Sequence, residues 1–295
     1  MTIAHTFAYH KPESLDEALA VLGGYGSGAR VLAGGTDLVA WLRDGVVAPE
    51  ALVDLKGIPG LDRLELRGES LWIGALVTFN QVLESRTAAS WPLLAEMAAV
   101  VASHGVRNRA TLSGNLCAAV ASCDSGPPLL VHDATVHVVG PSGARVVPIA
   151  GWFKANRKTA LAPGEIVVGI EIPPVQDSHA GCFAKLRRYR GEDLAQASVA
   201  ILVTRAGSVR VALGAVGPTP VRATRIEAAL SGRATDPEAV TAAVALLAAE
   251  SSPIADVRAT REYREHMLGV LLERGLEAAR SRLAGSGPPY GTEIL

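Results

Sequence analysis

The stretch Arg107-Asn108-Arg109-Ala110-Thr111-Leu112-Ser113-Gly114-Asn115-Leu116-Cys117-Ala118-Ala119-Val120-Ala121-Ser122-Cys123-Asp124 decides how the rest of the chain is read. It follows an apolar, helix-patterned run over 91–103. It carries hydroxyls, an amide, a glycine and small side chains where a core segment would hold Leu, Ile or Phe. Thr111, Ser113 and Asn115 each offer a hydrogen-bond donor, and Gly114 lets a ligand approach the backbone without meeting a Cβ. Anions and sugar hydroxyls fit such a lining. The same composition also serves a buried turn, so the reading needs a second stretch beside it.

Gly34-Gly35-Thr36-Asp37 is that second stretch. It lies between a short strand, 30–33, and a helix, 38–43, that closes near Gly45. In a strand-turn-helix unit the backbone N–H groups of 34–38 converge at the helix N-terminus, where unpaired donors and the helix dipole stabilise a phosphate. An ordinary strand-to-helix turn uses the same residue types. Gly24-Tyr25-Gly26-Ser27-Gly28 lacks the dinucleotide-fingerprint spacing and lies after a helix and before a strand, the reverse of the required order. It reads as a flexible turn.

Working outward, Ser14 and Glu17 form a capping box for a helix over 14–22 that ends at Gly23-Gly24. Strands are expected over 52–55, 64–66 and 71–73. Thr78 with Gln81 starts another helix, and Pro92 suits the first turn of the next. A hairpin over 135–139 and 145–149 turns at Pro141-Ser142-Gly143, and a strand over 165–172 is closed by Pro173-Pro174. That proline pair and the polar 176–179 mark a domain boundary. Beyond it come strands over 182–188, 198–204 and 209–216, then helices over 224–230, 237–250 and 259–282. Three strands followed by three helices predict an α+β domain with helices on one face of an antiparallel sheet. The limits that follow are 1–176, divided near 56 into 1–56 and 57–176, then 177–284, then a tail over 285–295 whose Gly-Ser-Gly-Pro-Pro composition predicts mobility.

A chain of 295 residues with 49% hydrophobic content builds a real core and favours two domains. Lys plus Arg is 28 against 29 for Asp plus Glu, so no overall field recruits nucleic acid or an anionic membrane. The longest apolar run, 239–249, falls well short of the about 20 residues a membrane span needs. Met1-Thr2-Ile3-Ala4-His5 lacks a basic segment followed by an apolar one, and the expected location is cytoplasmic. Cys117, Cys123 and Cys182 show no Cys-x-x-Cys pair and are expected as free thiols, with no metal site. There is no P-loop, nucleophile elbow or His-Glu-x-x-His helix, which removes support for nucleotide hydrolysis, triad chemistry and zinc proteolysis. No catalytic acid or base is assigned.

The ordered set Val31 to Leu38, Ile73-Gly74-Ala75, Arg107 to Asn115, Asp124, Pro163-Gly164-Glu165-Ile166, Ile170 to Pro173 and Phe183-Ala184-Lys185 resembles one family. It is similar to the FAD-binding medium subunit of the molybdenum hydroxylases, which include xanthine dehydrogenase and aerobic carbon monoxide dehydrogenase. Asp256-Val257-Arg258 and Glu262-Tyr263-Arg264 look like that family's C-terminal helical signature. The resemblance implies a two-part FAD-binding domain of the PCMH, vanillyl-alcohol-oxidase-like type. A C-terminal domain of the carbon monoxide dehydrogenase flavoprotein type, with a three-stranded antiparallel sheet and a helical bundle, would follow it.

By that resemblance Leu32, Ala33, Gly34, Gly35, Thr36, Asp37 and Leu38, with Ala110, Thr111, Ser113, Gly114 and Asn115, hold the FAD pyrophosphate. Asp124 accepts from a sugar hydroxyl. Ile166 and Val167 pack near the isoalloxazine, and Lys185 lies beside it, where positive charge favours an anionic reduced flavin. Ser113 stands where the family usually has glycine; a positive φ there would cost serine roughly 1 to 2 kcal/mol. His104, Cys117 and Cys123 read as structural. The basic run Lys185, Arg187, Arg188 and Arg190 is a solvated edge, a partner contact or a steering surface. The implied partners are a small subunit with 2Fe-2S clusters and a large molybdopterin subunit, in a dimer of heterotrimers. Two other classes stay open: a self-sufficient FAD oxidoreductase related by fold to the reductase of cell-wall precursor synthesis, and a flavin-binding assembly protein.

Overall fold

The computed structural model describes residues 3, 5–189 and 191–295. Met1, Thr2 and Ala4 of the N-terminal reading, and Arg190 of the basic run, lie outside the described residues.

Three layers of structure follow one another along the chain. The first lobe is a parallel sheet of β1 (Ala8–His10), β2 (Ala29–Leu32) and β3 (Ala51–Asp54), with β3 in the middle. Helix α1 (Leu15–Tyr25) connects β1 to β2 and α2 (Thr36–Arg43) connects β2 to β3. Ser14 caps α1 as the capping signal requires, its Oγ accepting from the Glu17 N–H at 3.2 Å. The helix does not stop at Gly23-Gly24. It runs through both and ends at Gly26, whose φ of 53° is one that glycine adopts without a Cβ penalty. Strand β1 was not apparent from the sequence, because three residues are too few to show alternation.

The second lobe is an antiparallel five-stranded sheet in the order β4 (Leu64–Arg67), β5 (Ser70–Gly74), β10 (Ile166–Ile172), β6 (Thr135–Gly140), β7 (Gly143–Pro148). Between β7 and β10 a small hairpin, β8 (Phe153–Ala155) and β9 (Lys158–Thr159), is inserted. Helices α3 (Phe79–Glu84), α4 (Pro92–Ala99), α5 (His104–Arg107), α6 (Leu112–Ala118) and α7 (Gly126–Val131) follow β5. Leu71, Ile73, Val136, Val138 and Ile170 of the sheet share one core with Phe79, Leu94, Met97, Leu112 and Leu129 of the helices. The Thr78–Gln81 capping box is complete in both directions. The apolar run over 91–103 is not one helix: α4 stops at Ala99, and Ser103 starts α5 by accepting from the Val106 N–H. Apolar pattern continues through the break, but Ala102 takes a left-handed φ of 40° after α4 has ended, and the Ser103 side chain, bonded to the backbone three residues on, begins a new helix.

The C-terminal part is an antiparallel sheet of β11 (His179–Leu186), β12 (Ala197–Thr204), β13 (Val209–Gly214) and a two-residue fourth strand, β14 (Val221–Arg222). Alternate residues take opposite faces. Cys182, Val199, Ile201, Val211 and Leu213 pack on α8 (Thr224–Leu230), α9 (Pro237–Glu250) and α10 (Arg261–Leu283). Phe183, Ala200, Leu202 and Ala212 join the core of the second lobe instead. The sheet is therefore covered on both faces, by its own helices and by the preceding domain. Lys185, in register with Ser198 on β12, is on the face turned to that domain.

The terminal segment, expected to be mobile, folds back onto this junction. Tyr290 Oη accepts from the Gly181 N–H at 3.0 Å, and the Gly291 N–H donates to Glu96 at 3.0 Å. Glu96 also forms a buried ion pair with Arg282, at 2.8 Å, and accepts from the Phe183 N–H at 2.7 Å. The tail is held because a buried carboxylate on α4 needs more donors than α10 alone supplies.

Candidate functional site

The two loops singled out in the sequence touch. A Cβ on Gly34 would lie 1.9 Å from the Arg109 carbonyl oxygen, so only glycine permits this contact. Gly35 is left-handed, with φ 83°, and is the N-cap of α2; this places Thr36 and Asp37 inside the first helical turn, two residues earlier than the sequence pattern predicts. Thr111 caps α6, its Oγ1 accepting from the Gly114 N–H at 2.9 Å. The entry to α6 is pinned by Phe79 N–H to Ala110 O and Leu112 N–H to Val77 O, both 3.1 Å. Two helix N-termini from two lobes thus open side by side.

They open into a cavity of about 660 Å³, within the range of small-molecule sites. Of the residues named in advance, Ala33 through Leu38, Ala110, Thr111, Ser113, Gly114, Asn115, Asp124, Ile166, Val167 and Lys185 all line it. Leu32 does not; its side chain supports Gly35 from behind. Ile166 belongs to the core of the first lobe and Val167 to that of the second, so the start of β10 forms the seam between them. The apolar wall includes Trp41, Phe79 and Val101, which the sequence does not single out, since periodicity does not separate a cavity wall from an interior. The β11–β12 connection contributes Arg188, Tyr189 and Leu194, and Arg258 of the C-terminal signature also reaches the cavity.

The polar groups divide by use. Asn115 turns its amide oxygen inward, accepting from Ser125 Oγ at 2.8 Å and from the Ser125 N–H at 3.2 Å, which fixes the segment bearing Asp124. Lys185 Nζ donates to Asp124 Oδ2 at 2.7 Å and to the Val100 carbonyl at 3.2 Å. The lysine charge is therefore matched by a carboxylate within the site. Burial pushes the Asp124 carboxyl above its ordinary range, and Lys185, then Arg187, pull it back. Among the described residues two buried side-chain oxygens are left without a protein partner, Ser113 Oγ and Asp124 Oδ1. Ser113 lies inside α6 with no positive φ, so the serine is unstrained. Both orphan atoms and the glycine-lined floor fit a ligand carrying phosphates and sugar hydroxyls.

Other candidates fall away. His104 is exposed and bonds Asn80 at 3.2 Å, outside the cavity lining. Cys117 and Cys123 are free thiols that burial pushes up to about 12, which removes thiolate reactivity. Among the described residues no helix is long and apolar enough to cross a membrane.

Fold and cavity together define a two-domain protein with a cavity where three structural units meet, lined by groups whose chemistry fits a dinucleotide. Residues 5–175 match the family model described as FAD binding domain in molybdopterin dehydrogenase, and residues 181–279 match that of the CO dehydrogenase flavoprotein C-terminal domain. The carbon monoxide dehydrogenase medium chain of Hydrogenophaga pseudoflava is 35% identical over 283 residues, 94% of this chain and 98% of that one. A subunit of the 6-hydroxypseudooxynicotine dehydrogenase complex of Paenarthrobacter nicotinovorans is 28% identical, over 94% of this chain and 95% of that one. The structure of reconstituted CO dehydrogenase from Oligotropha carboxidovorans superimposes with a TM-score of 0.92 at 34% identity, covering 95% of this chain and all of that one. The chain belongs to the FAD-binding medium subunits of the molybdenum hydroxylases. It is the FAD subunit of an oxidoreductase.

Proposed function

We propose that this chain is the electron-transfer subunit of a heterotrimeric molybdenum hydroxylase, receiving electrons from 2Fe-2S clusters of a small subunit and delivering them to an external acceptor. A large molybdopterin subunit oxidises the substrate, the assembly is a dimer of heterotrimers, and it is cytoplasmic. The reading is carried by one observation: the cavity is completed by both family domains, the loops at Gly34 and Thr111 from one and Lys185 from the other. Relatives named for carbon monoxide and for 6-hydroxypseudooxynicotine align over nearly the same length, which supports substrate selection on another polypeptide. We divide the chain at about 176 and 284, with the first domain split near 56.

Bound FAD supplies the capacity to exchange electrons singly or in pairs. The chain's own residues do the rest. N–H groups of 34–38 and the Ser113 N–H hold the pyrophosphate, joined by the Ser113 hydroxyl, while the N–H groups of Leu112, Gly114 and Asn115 are spent on Val77 and Thr111 and fix the start of α6. Asp124 accepts a sugar hydroxyl with Oδ1 while Oδ2 holds the Lys185 side chain in place. Ile166 and Val167 seat the ring system at the seam of the two lobes and exclude water from one side.

Purification from the native source should recover FAD, iron and molybdenum together, with this chain, a small subunit and a large subunit. Substrate should bleach the flavin only in that complex, while dithionite bleaches the isolated FAD-loaded chain. Rapid reduction of the chain alone by an aldehyde, a purine, carbon monoxide or an N-heterocycle would establish the self-sufficient oxidoreductase instead. A flavin that no partner or substrate reduces would leave the assembly protein.

A further inference from the structure

One wall of the cavity is a turn with an unusual demand for hydrogen-bond donors. Helix α4 ends at Ala99, and the chain passes through Val100, Val101 and Ala102 before Ser103 starts α5. The last carbonyls of a helix have no partners within it, and the negative end of the helix dipole favours a cation there. Ala102 adds a second requirement, since its φ is 40°, a left-handed conformation that L side chains disfavour. Val101 and Ala102 both line the cavity.

Two cations meet the demand. Arg107 Nη1 donates to the carbonyls of Val101 at 2.8 Å, Ala102 at 3.1 Å and Ala99 at 3.4 Å. Lys185 Nζ takes the remaining one, Val100, at 3.2 Å. Behind the guanidinium stands Asn80, buried, whose Oδ1 accepts from Arg107 Nε at 3.2 Å. Its Nδ2 donates to Asn108 Oδ1 at 2.5 Å and to the His104 carbonyl at 3.2 Å. Four consecutive carbonyls are thus gripped from two sides, and the arginine is itself held in place by a buried amide.

We propose that Arg107, oriented by Asn80, is a positioning residue for the flavin: it holds the 99–102 turn, and with it the left-handed Ala102, as a fixed wall of the cavity. The proposal rests on the FAD reading of that cavity. The same turn receives Lys185, so the wall and the Lys185–Asp124 pair are set by one arrangement. Without the guanidinium three carbonyls lose their donor, the strain at Ala102 is unopposed, and the turn relaxes toward right-handed backbone. The ring system then meets a mobile surface.

The test uses the assembled complex, with Arg107→Ala, Arg107→Lys, Asn80→Ala and Ala102→Gly, the last also combined with Arg107→Ala. FAD content, FAD release rate, visible circular dichroism of the bound flavin and thermal midpoint are measured together. Arg107→Ala should release FAD roughly ten- to hundredfold faster and change the flavin dichroism, as expected for loss of charge-assisted hydrogen bonds. Arg107→Lys, whose ammonium still offers three donors, should recover most of the loss. Ala102→Gly in the Arg107→Ala background should also recover part of it, because glycine adopts that backbone unaided. Asn80→Ala should act in the same direction with a smaller factor. The proposal is overturned if Arg107→Ala lowers the thermal midpoint but leaves release and dichroism unchanged. Where Arg107→Ala does not assemble, unchanged release in Asn80→Ala overturns it. A wild-type complex containing no FAD would sink the flavin reading itself, a separate result.

Discussion

Lys185 Nζ and Asp124 Oδ2 lie 2.7 Å apart, both side chains buried, although 61 residues separate them in the chain. The pair joins the C-terminal sheet to the segment after α6, at the wall of the cavity. Each residue lines the cavity, and each is also the other's ion-pair partner.

Asp124→Ala therefore has two separable effects. It leaves a buried ammonium unpaired, expected to destabilise the apo-protein by about 3 kcal/mol, and it removes the Oδ1 acceptor, expected to weaken FAD binding roughly ten- to hundredfold. Adding Lys185→Met removes the stranded charge. The double variant should regain most of the thermal stability without regaining FAD affinity. Thermal melts and FAD titrations of the single and double variants check this, and recovery of both properties together would show that Asp124 serves only to pair the lysine.

His132 predicts a pH dependence. Its ring is buried, neither nitrogen has a protein partner, and His179 faces it edge-on with ring centroids 6.5 Å apart. Burial, then the nearby His179 and Arg210, push it down from an ordinary 6.5 to about 3. Between those values the unfolded chain binds the proton that the folded chain refuses, so stability is complete above pH 6.5 and is lost as pH falls toward 3. Asp124, raised in the fold, has the opposite sign: its contribution falls as pH rises above its ordinary 3.8. His132→Leu should flatten the loss between pH 7 and 5. Thermal midpoints of both proteins across that interval decide it, and parallel curves would remove His132 as the cause.

Gly34→Ala should be far more damaging than Gly35→Ala. At Gly34 the added methyl meets a backbone carbonyl at 1.9 Å and must push the two loops apart, at the upper end of the about 1–3 kcal/mol typical of overpacking. At Gly35 the main penalty is the left-handed backbone, about 1–2 kcal/mol. FAD retention after gel filtration should be lost in the first and only reduced in the second. Equal retention would mean that the loops need not touch to bind.

What the sequence determined by itself is local or ordered along the chain. Ser14 and Thr78 cap helices with donors three residues away, Pro92 and Pro237 sit at helix starts, and the hairpin at Pro141-Ser142 closes between Gly140 and Gly143. These signals act within a few residues, so no tertiary contact is needed to read them. The glycine-rich loops were legible for the same reason, and their order along the chain carried the family. Only the tertiary structure decided that Gly34 rests on Arg109 and that Lys185 is matched by Asp124. It also decided that the tail returns to Glu96, and that α4 ends early with its carbonyls facing Arg107 and Lys185. Each of those depends on a partner tens of residues away or on a buried group that must find a donor. Burial sets that requirement, and burial exists only once the lobes have packed.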